Sequence, residues 1–165
     1  MGASNSDGFF YEGCNQKTLA ERLGITITVV QDTHSRSARH VLRGLHYQIK
    51  QPQAKLIRVS AGEVFDVAVD LRRSSPTFGR WVGVTLSAHN KRQLWIPIGF
   101  AYGFLALSEF AECLYNTTDY WSPVHERCVL WNDPDVGIKW PLTGDPVLSD
   151  KDKKGVVLKE AEVFP

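Results

Sequence analysis

Glu63-Val-Phe-Asp-Val-Ala-Val-Asp-Leu71 puts Phe65, Val67, Val69 and Leu71 on one face in strict alternation, which is the period of a β-strand rather than a helix. The opposite face carries Val64, Asp66, Ala68 and Asp70, so it either meets water or lines a polar cavity, and pattern alone leaves both open. Outward from this strand the same short-period signal recurs at Ile25 to Val30, Lys55 to Val59, Arg80 to Leu86, Arg92 to Ile96, Ala101 to Leu107, Glu112 to Thr118 and Val129 to Asn132. Breakers stand between these runs: Gly62, Ser74-Ser75-Pro76, Asn90, Pro97-Ile98-Gly99 and Ser122-Pro123. Short strands at intervals of about ten residues predict an antiparallel sandwich or barrel. One helix of about two turns is predicted from Gln16 to Leu23, capped by Asn15 and stopped by Gly24. The tail beyond Pro141 reads as a loop with a short terminal segment.

The chain has 165 residues, 43% hydrophobic and 22% charged, enough for one well-buried core, and a single domain over 1–165 is expected. A net charge of +1 and a pI of about 7.8 offer no basic excess to neutralise phosphates, which argues against nucleic acid as a partner. No apolar run approaches the roughly 18 residues of a membrane span. The opening Met-Gly-Ala-Ser-Asn-Ser-Asp-Gly-Phe-Phe has neither the basic start nor the apolar stretch of a signal peptide, so a cytoplasmic address is expected. Cys14, Cys113 and Cys128 are far apart in sequence and read as reduced and mostly structural.

Several polar residues fit a plain core poorly. Arg43-Gly-Leu-His-Tyr-Gln48 packs a guanidinium, an imidazole and a phenol beside a glycine that permits close approach of a ligand. His46 can exchange a proton near neutral pH and Arg43 is suited to a phosphate or carboxylate, but His46 alone is as readily structural as catalytic. Lys55 alone reads as a solvated strand end. Phe100, Tyr102 and Phe104 share one face and read as core, although a buried phenol needs a partner; the same holds for Tyr115. Tyr120-Trp121 is a platform on which a flat base or sugar could stack.

Taken in order, Val41-Leu-Arg-Gly-Leu-His-Tyr-Gln48, Gly62 to Arg72, Ser75-Pro-Thr-Phe-Gly79, Asn90-Lys-Arg-Gln-Leu-Trp-Ile-Pro97, Gly99-Phe-Ala-Tyr-Gly-Phe104, Trp131-Asn-Asp-Pro134 and Leu148-Ser-Asp-Lys-Asp152 closely resemble the dTDP-4-dehydrorhamnose 3,5-epimerase family. The resemblance runs from about Phe9 to Asp152 and implies a mainly β, cupin-type jelly roll working as a homodimer. It implies inversion of carbons flanking the 4-keto group of a nucleotide-linked 6-deoxyhexose, as in dTDP-L-rhamnose biosynthesis. Such chemistry needs a base for a proton α to a carbonyl, a positive group for the enolate oxygen and an acid on the opposite face. By resemblance His46 is the base, Asp152 its orienting carboxylate, Lys55 the cation and Tyr115 the acid. Arg43, Glu12, Gln31, Thr33, Tyr102, Trp121, Glu126 and Lys151 match substrate-binding positions. No cofactor is implied, and no metal, because His46 is followed by Tyr47 and Gln48 where metal-binding cupins carry a His-x-His pair.

The chain departs from the family at Asp7, where an arginine is usual, at Thr33 for asparagine, at Tyr102 for histidine and at Trp121 for tyrosine. The family's N-terminal strand reads as short or missing. These departures keep two alternatives in view: a nucleotide-sugar binding protein with impaired catalysis, and an epimerase that inverts only C3 or only C5.

Overall fold

The computed structural model describes residues 3–5 and 8–165, with side chains from residue 8 onward; Asp7 lies outside the described residues. In chain order the elements are β1 (Ala3–Asn5), β2 (Gly8–Phe10), α1 (Gln16–Leu23), β3 (Gln31–Ala38), β4 (Leu42–Gln48), β5 (Lys55–Ala61), β6 (Glu63–Asp70), β7 (Trp81–Ser87), β8 (Gln93–Ile96), β9 (Phe100–Ala106), β10 (Phe110–Thr117), β11 (Glu126–Cys128) and α2 (Asp150–Lys153), followed by a 3₁₀ turn at Leu158–Glu160. β1 and β2 form a small ribbon, β3-β10-β5-β8 a four-stranded sheet and β11-β4-β9-β6-β7 a five-stranded sheet, with every pairing between these strands antiparallel. The two larger sheets face each other as a cupin-type jelly-roll sandwich, and of the two architectures left open by the strand pattern the closed barrel is not the one adopted.

The decisive stretch is buried on both faces, which resolves the ambiguity at Asp66. Val64 and Ala68 pack between the sheets with Ile57, Val59, Leu86, Ile96 and Phe104, and Asp66 shares their face at 0% exposure. Val67, Val69 and Leu71 form a second core with Leu45, Tyr47, Val129, Val136, Leu158 and Ala161. That second core exists because the C-terminal segment lies over the outer face of the larger sheet. The tail predicted as mostly loop is therefore a structural layer, pinned by parallel bridges Val129↔Val156 and Arg72↔Phe164.

Two motif segments find structural roles here. Asp70 is buried and accepts from the Arg72 guanidinium (2.9 and 2.7 Å), Ser75 Oγ (2.7 Å) and Thr77 Oγ1 (2.6 Å), which fixes the turn between β6 and β7. Burial would raise its pKa, but these bonds outweigh burial and hold it well below the usual carboxylate range. Asp133 accepts from the Asp135, Val136 and Leu158 backbone N–H groups, tying the Trp131-Asn-Asp-Pro134 turn to the tail.

Helix α1 forms as predicted: Asn15 Oδ1 accepts from Thr18 N at 3.1 Å, and Gly24 ends the helix at φ 67° with its N–H on Ala20 O. Two strand predictions need correction. Ile25 to Val30 is irregular, because the ladder it would join ends where Thr117 of β10 pairs with Gln31; strand β3 starts there instead. β-Branched propensity without a partner strand does not make a strand. β3 itself is polar because it is an edge strand with one half-exposed face. Val129 to Asn132 is also displaced: β4 pairs with Glu126–Cys128, after which the chain leaves to meet the tail at Val156.

β4 carries the site motif through an irregularity between Arg43 and His46, where Gly44 has φ 127°. A Cβ on Gly44 would lie 2.5 Å from Gly103 Cα of β9, so the two glycines permit a backbone approach that no side chain would allow. Gly44→Ala combines backbone strain with overpacking and is expected to cost about 3 kcal/mol or more, read as a lowered urea midpoint at unchanged slope.

Asp66 gives a second expectation for stability. Burial pushes its carboxyl up to about 7, opposed by the hydrogen bond from Tyr102. Between the unfolded value near 4 and the folded value near 7, the native state holds a proton that the unfolded chain has released, so stability falls as pH rises across that window. Urea unfolding from pH 4 to 8 should show Asp66→Asn lacking a slope of about 1.4 kcal/mol per pH unit that the parent chain shows.

Candidate active site

Between the sheets opens a cavity of about 630 Å³. Gln31, Thr33, Arg43, His46, Lys55, Tyr102, Tyr115, Trp121, Glu126 and Lys151 line it, ten of the residues predicted from sequence. The sheets divide the chemistry between them. His46 and Tyr102 stand opposite each other in the β4–β9 register of the larger sheet, whereas Lys55 and Tyr115 belong to β5 and β10 of the smaller sheet.

Asp152 is not a lining residue but sits behind His46, with its Oδ1 2.7 Å from His46 Nε2 and off the line of the ring N–H. Its position depends on α2. Ser149 caps that helix by accepting from Asp152 N and donates to Asp152 Oδ2, while Gly44 N donates to Oδ1 at 3.0 Å. Burial alone would raise the Asp152 pKa, but the close His46 ring and the hydrogen bonds from Ser149 and the Gly44 N–H prevail and hold the carboxyl well below its usual range. The carboxylate therefore stays charged beside the imidazole. With Nε2 facing Asp152, Nδ1 is the ring nitrogen left to exchange a proton.

Lys55 is half-buried and donates to Gln53 Oε1 at 2.9 Å. Desolvation brings its pKa down to about 8, with Glu126 pulling the other way and Lys151 reinforcing the fall. Its ammonium is thus charged at neutral pH but poorly hydrated, a state in which it acts strongly on a nearby oxyanion. Tyr115 shares a hydrogen bond of 2.9 Å with Ser35 Oγ, and burial pushes its hydroxyl well above the ordinary phenol value, so it remains a proton carrier throughout the neutral range. Tyr102 donates to Asp66 Oδ1 at 2.9 Å, and its ring meets that of Tyr115 edge-on at 5.9 Å between centroids.

The rest of the cavity lining is aromatic, polar and charged. Trp121 is exposed, its backbone N–H donates to Gln31 Oε1, and Gln31 Nε2 donates to Thr33 Oγ1. Arg43 is steered by Nε donating to Ser37 Oγ at 3.0 Å. Lys151 pairs with Glu126 at 2.7 Å. Glu12 is not among the lining residues; it is exposed and accepts from Asn15 Nδ2 beside the start of α1.

Sequence reasoning missed Ser35, Arg36, Gln53 and Thr117, which also line the cavity. Most were within reach of a period-two argument: Ser35 lies two residues beyond Thr33, Gln53 two before Lys55 and Thr117 two after Tyr115. Among the described residues His46, Cys128 and Asp152 bring three ligand-type atoms within 4.8 Å of one another. Both Asp152 oxygens are already engaged by hydrogen-bond donors, and the Cys128 thiol is pushed up to about 12 by burial and by the Asp152 charge, so this trio is poorly disposed to hold a metal. No helix among the described residues is long and apolar enough to cross a membrane.

Known proteins give this constellation a context. The family model for dTDP-4-dehydrorhamnose 3,5-epimerase matches residues 3–160. The dTDP-4-dehydrorhamnose 3,5-epimerase of Pseudomonas aeruginosa is 63% identical over 158 residues, covering 96% of this chain and 87% of that protein. The Salmonella typhimurium enzyme is 57% identical, covering 93% of this chain and 85% of its own length. Among solved structures, the dTDP-6-deoxy-D-glucose-3,5-epimerase of Legionella pneumophila in complex with dTDP-4-keto-L-rhamnose superposes with a TM-score of 0.96 at 52% identity, covering 98% of this chain and 86% of that one. A match over nearly the whole chain, in sequence and in fold, shows that the chain belongs to the dTDP-4-dehydrorhamnose 3,5-epimerase family.

Proposed function

We propose that this protein inverts C3 and C5 of a dTDP-linked 4-keto-6-deoxyhexose, with His46 as base and Tyr115 as acid. The observation that carries the reading is the placement of His46, backed by Asp152 of α2, on one sheet and of Tyr115 and Lys55 on the other, across a single cavity. A base and an acid that approach from different sheets act on different faces of a planar enolate, and that is the requirement for inversion. A single group would tend to return the proton to the face it left.

In this scheme His46 takes the proton α to the 4-keto group, and the charged Asp152 stabilises the imidazolium that results. Lys55 offsets the negative charge that develops on the keto oxygen. Tyr115, protonated at neutral pH, delivers the new proton, and Ser35 holds its hydroxyl. Arg36, Arg43, Lys55 and Lys151 outnumber Glu126 among the ionised lining groups, an excess of positive charge that suits a nucleoside diphosphate. Trp121 provides the stacking surface for the base, with Gln31 and Thr33 beside it. The reading includes a homodimer, for which exposed Phe9 and Phe10 offer apolar surface.

Incubation with dTDP-4-keto-6-deoxyglucose in heavy water tests it. Deuterium is expected at both C3 and C5 of a rhamno-configured product. Label at one carbon would redefine the enzyme as a mono-epimerase, and none at either would reject the assignment for this substrate. His46→Asn should slow exchange by between about 10² and 10⁴-fold while dTDP affinity changes little, since the nucleotide is held elsewhere.

Lys55 predicts a pH dependence. The charged ammonium is present below about 8 and is lost as pH rises through that value, so turnover should fall there. In Lys55→Arg, whose guanidinium stays charged, that part of the fall should vanish from the profile whatever the absolute rate.

A further inference from the structure

Beneath the cavity lies a polar pair that the scheme above does not use. Asp66 is 0% exposed, receives one hydrogen bond, from the Tyr102 hydroxyl at 2.9 Å, and its Oδ2 has no partner. The groups around it offer little to hold a negative charge. β9 presents Tyr102; β10 presents Cys113 and Tyr115, both close enough to feel its charge; β7 presents Val84 in register; and Val64 and Ala68 share its own face of β6. Arg43 acts on the neighbouring Cys113 but gives its Nε to Ser37. Among the described residues no ion pair reaches Asp66. This contrasts with Asp70, Asp133 and Asp152, each of which accepts two or more hydrogen bonds.

A lone buried carboxyl with one donor is a group that readily carries a proton. Its one hydrogen-bond partner among the described residues, Tyr102, also lines the cavity. A phenol oxygen has one hydrogen, and that hydrogen can serve Asp66 or the ligand but not both.

We propose that Asp66 is a positioning residue whose protonation decides what Tyr102 shows the ligand. Protonated, Asp66 donates from Oδ1 to the phenol oxygen, and the phenol hydrogen turns into the cavity as a donor. Ionised, Asp66 draws the phenol hydrogen to itself, and the ligand meets only lone pairs. That the donor form is the productive one rests on the epimerase reading, because an enolate oxygen needs hydrogen-bond donors. Burial, which pushes the carboxyl up to about 7, sets the exchange between the two forms in the neutral range.

The hydroxyl can be read without any substrate. The Raman Fermi doublet of tyrosine reports whether a phenol donates or accepts, and the spectrum of the parent chain minus that of Tyr102→Phe isolates Tyr102. The difference spectrum should change from mainly accepting to mainly donating as pH rises through about 7, while difference infrared spectra lose a protonated-carboxyl band over the same range. Asp66→Asn, whose amide can donate permanently to the phenol, should show neither change. A carboxyl ionised from pH 5 upward, or a doublet indifferent to pH, would overturn the proposal. With dTDP-4-keto-6-deoxyglucose, the parent chain should begin to lose kcat near pH 7, and Asp66→Asn should begin only near 8, where Lys55 titrates. A profile in Asp66→Asn that is merely lower with its shape unchanged would assign Asp66 a purely structural role and overturn the proposal. Absence of turnover with both spectroscopic changes present would reject the epimerase reading and leave the Asp66–Tyr102 exchange standing.

Discussion

Asp152 joins two parts of the molecule that are distant in sequence, its own helix α2 and strand β4, which it meets at both the Gly44 backbone and the His46 imidazole. It is 1% exposed, so the N–H of Gly44 and the Ser149 hydroxyl would lose their partner in a dry place if the carboxylate were removed. The same contacts that depress its pKa keep it charged beside the imidazole it faces. The tail between Pro141 and Asp152 thus has to be ordered for the His46 ring to be oriented. Its later portion, from Val156 to Phe164, completes that order by burying Leu158 and Ala161 against the larger sheet.

The division of labour between sheets follows from the same alternation that identifies the strands. On β6 one face supplies the core under the tail and the other the core between the sheets, so a residue's parity decides which environment it enters. Parity places Lys55 and Ile57 on one face of β5, and Tyr115 and Thr117 on one face of β10. The cavity is the part of the interior where that face is polar instead of aliphatic. Charged side chains there are tolerable because each has a named partner: Gln53 for Lys55, Ser37 for Arg43, Glu126 for Lys151.

Much of this was legible in the sequence, and the limits have physical causes. β5, β6, β9 and β10 have partners on both sides, β7 and β8 pair at the sheet edges, and the predicted bounds of all six are close to those observed. Ile25 to Val30 failed because propensity was read without knowing where the neighbouring ladder stops, and Val129 to Asn132 failed because its partner is a tail with no strand-like pattern. Of the twelve residues named for the site, ten line the cavity and Asp152 supports one of them from behind, while Glu12 stands apart. His46 and Lys55 could be weighed only through resemblance, since a lone histidine or strand-end lysine carries no sign of the partner that gives it a role. Ser35 and Gln53 are short polar residues whose importance comes wholly from what they touch.

Among the described residues four aspartates are buried, and their fates show why burial alone says little about function. Asp70 and Asp133 gather donors from adjacent turns, so their charge is spent on holding backbone in place. Asp152 divides its acceptors between backbone and a side chain that opens on the cavity, and so couples fold to chemistry. Asp66 has one donor and a bare oxygen, an arrangement that costs stability whenever the group is ionised. A carboxyl with no structural debt to its surroundings is free to change its proton count without unravelling a turn. That freedom, and not its depth, is what separates Asp66 from the other three.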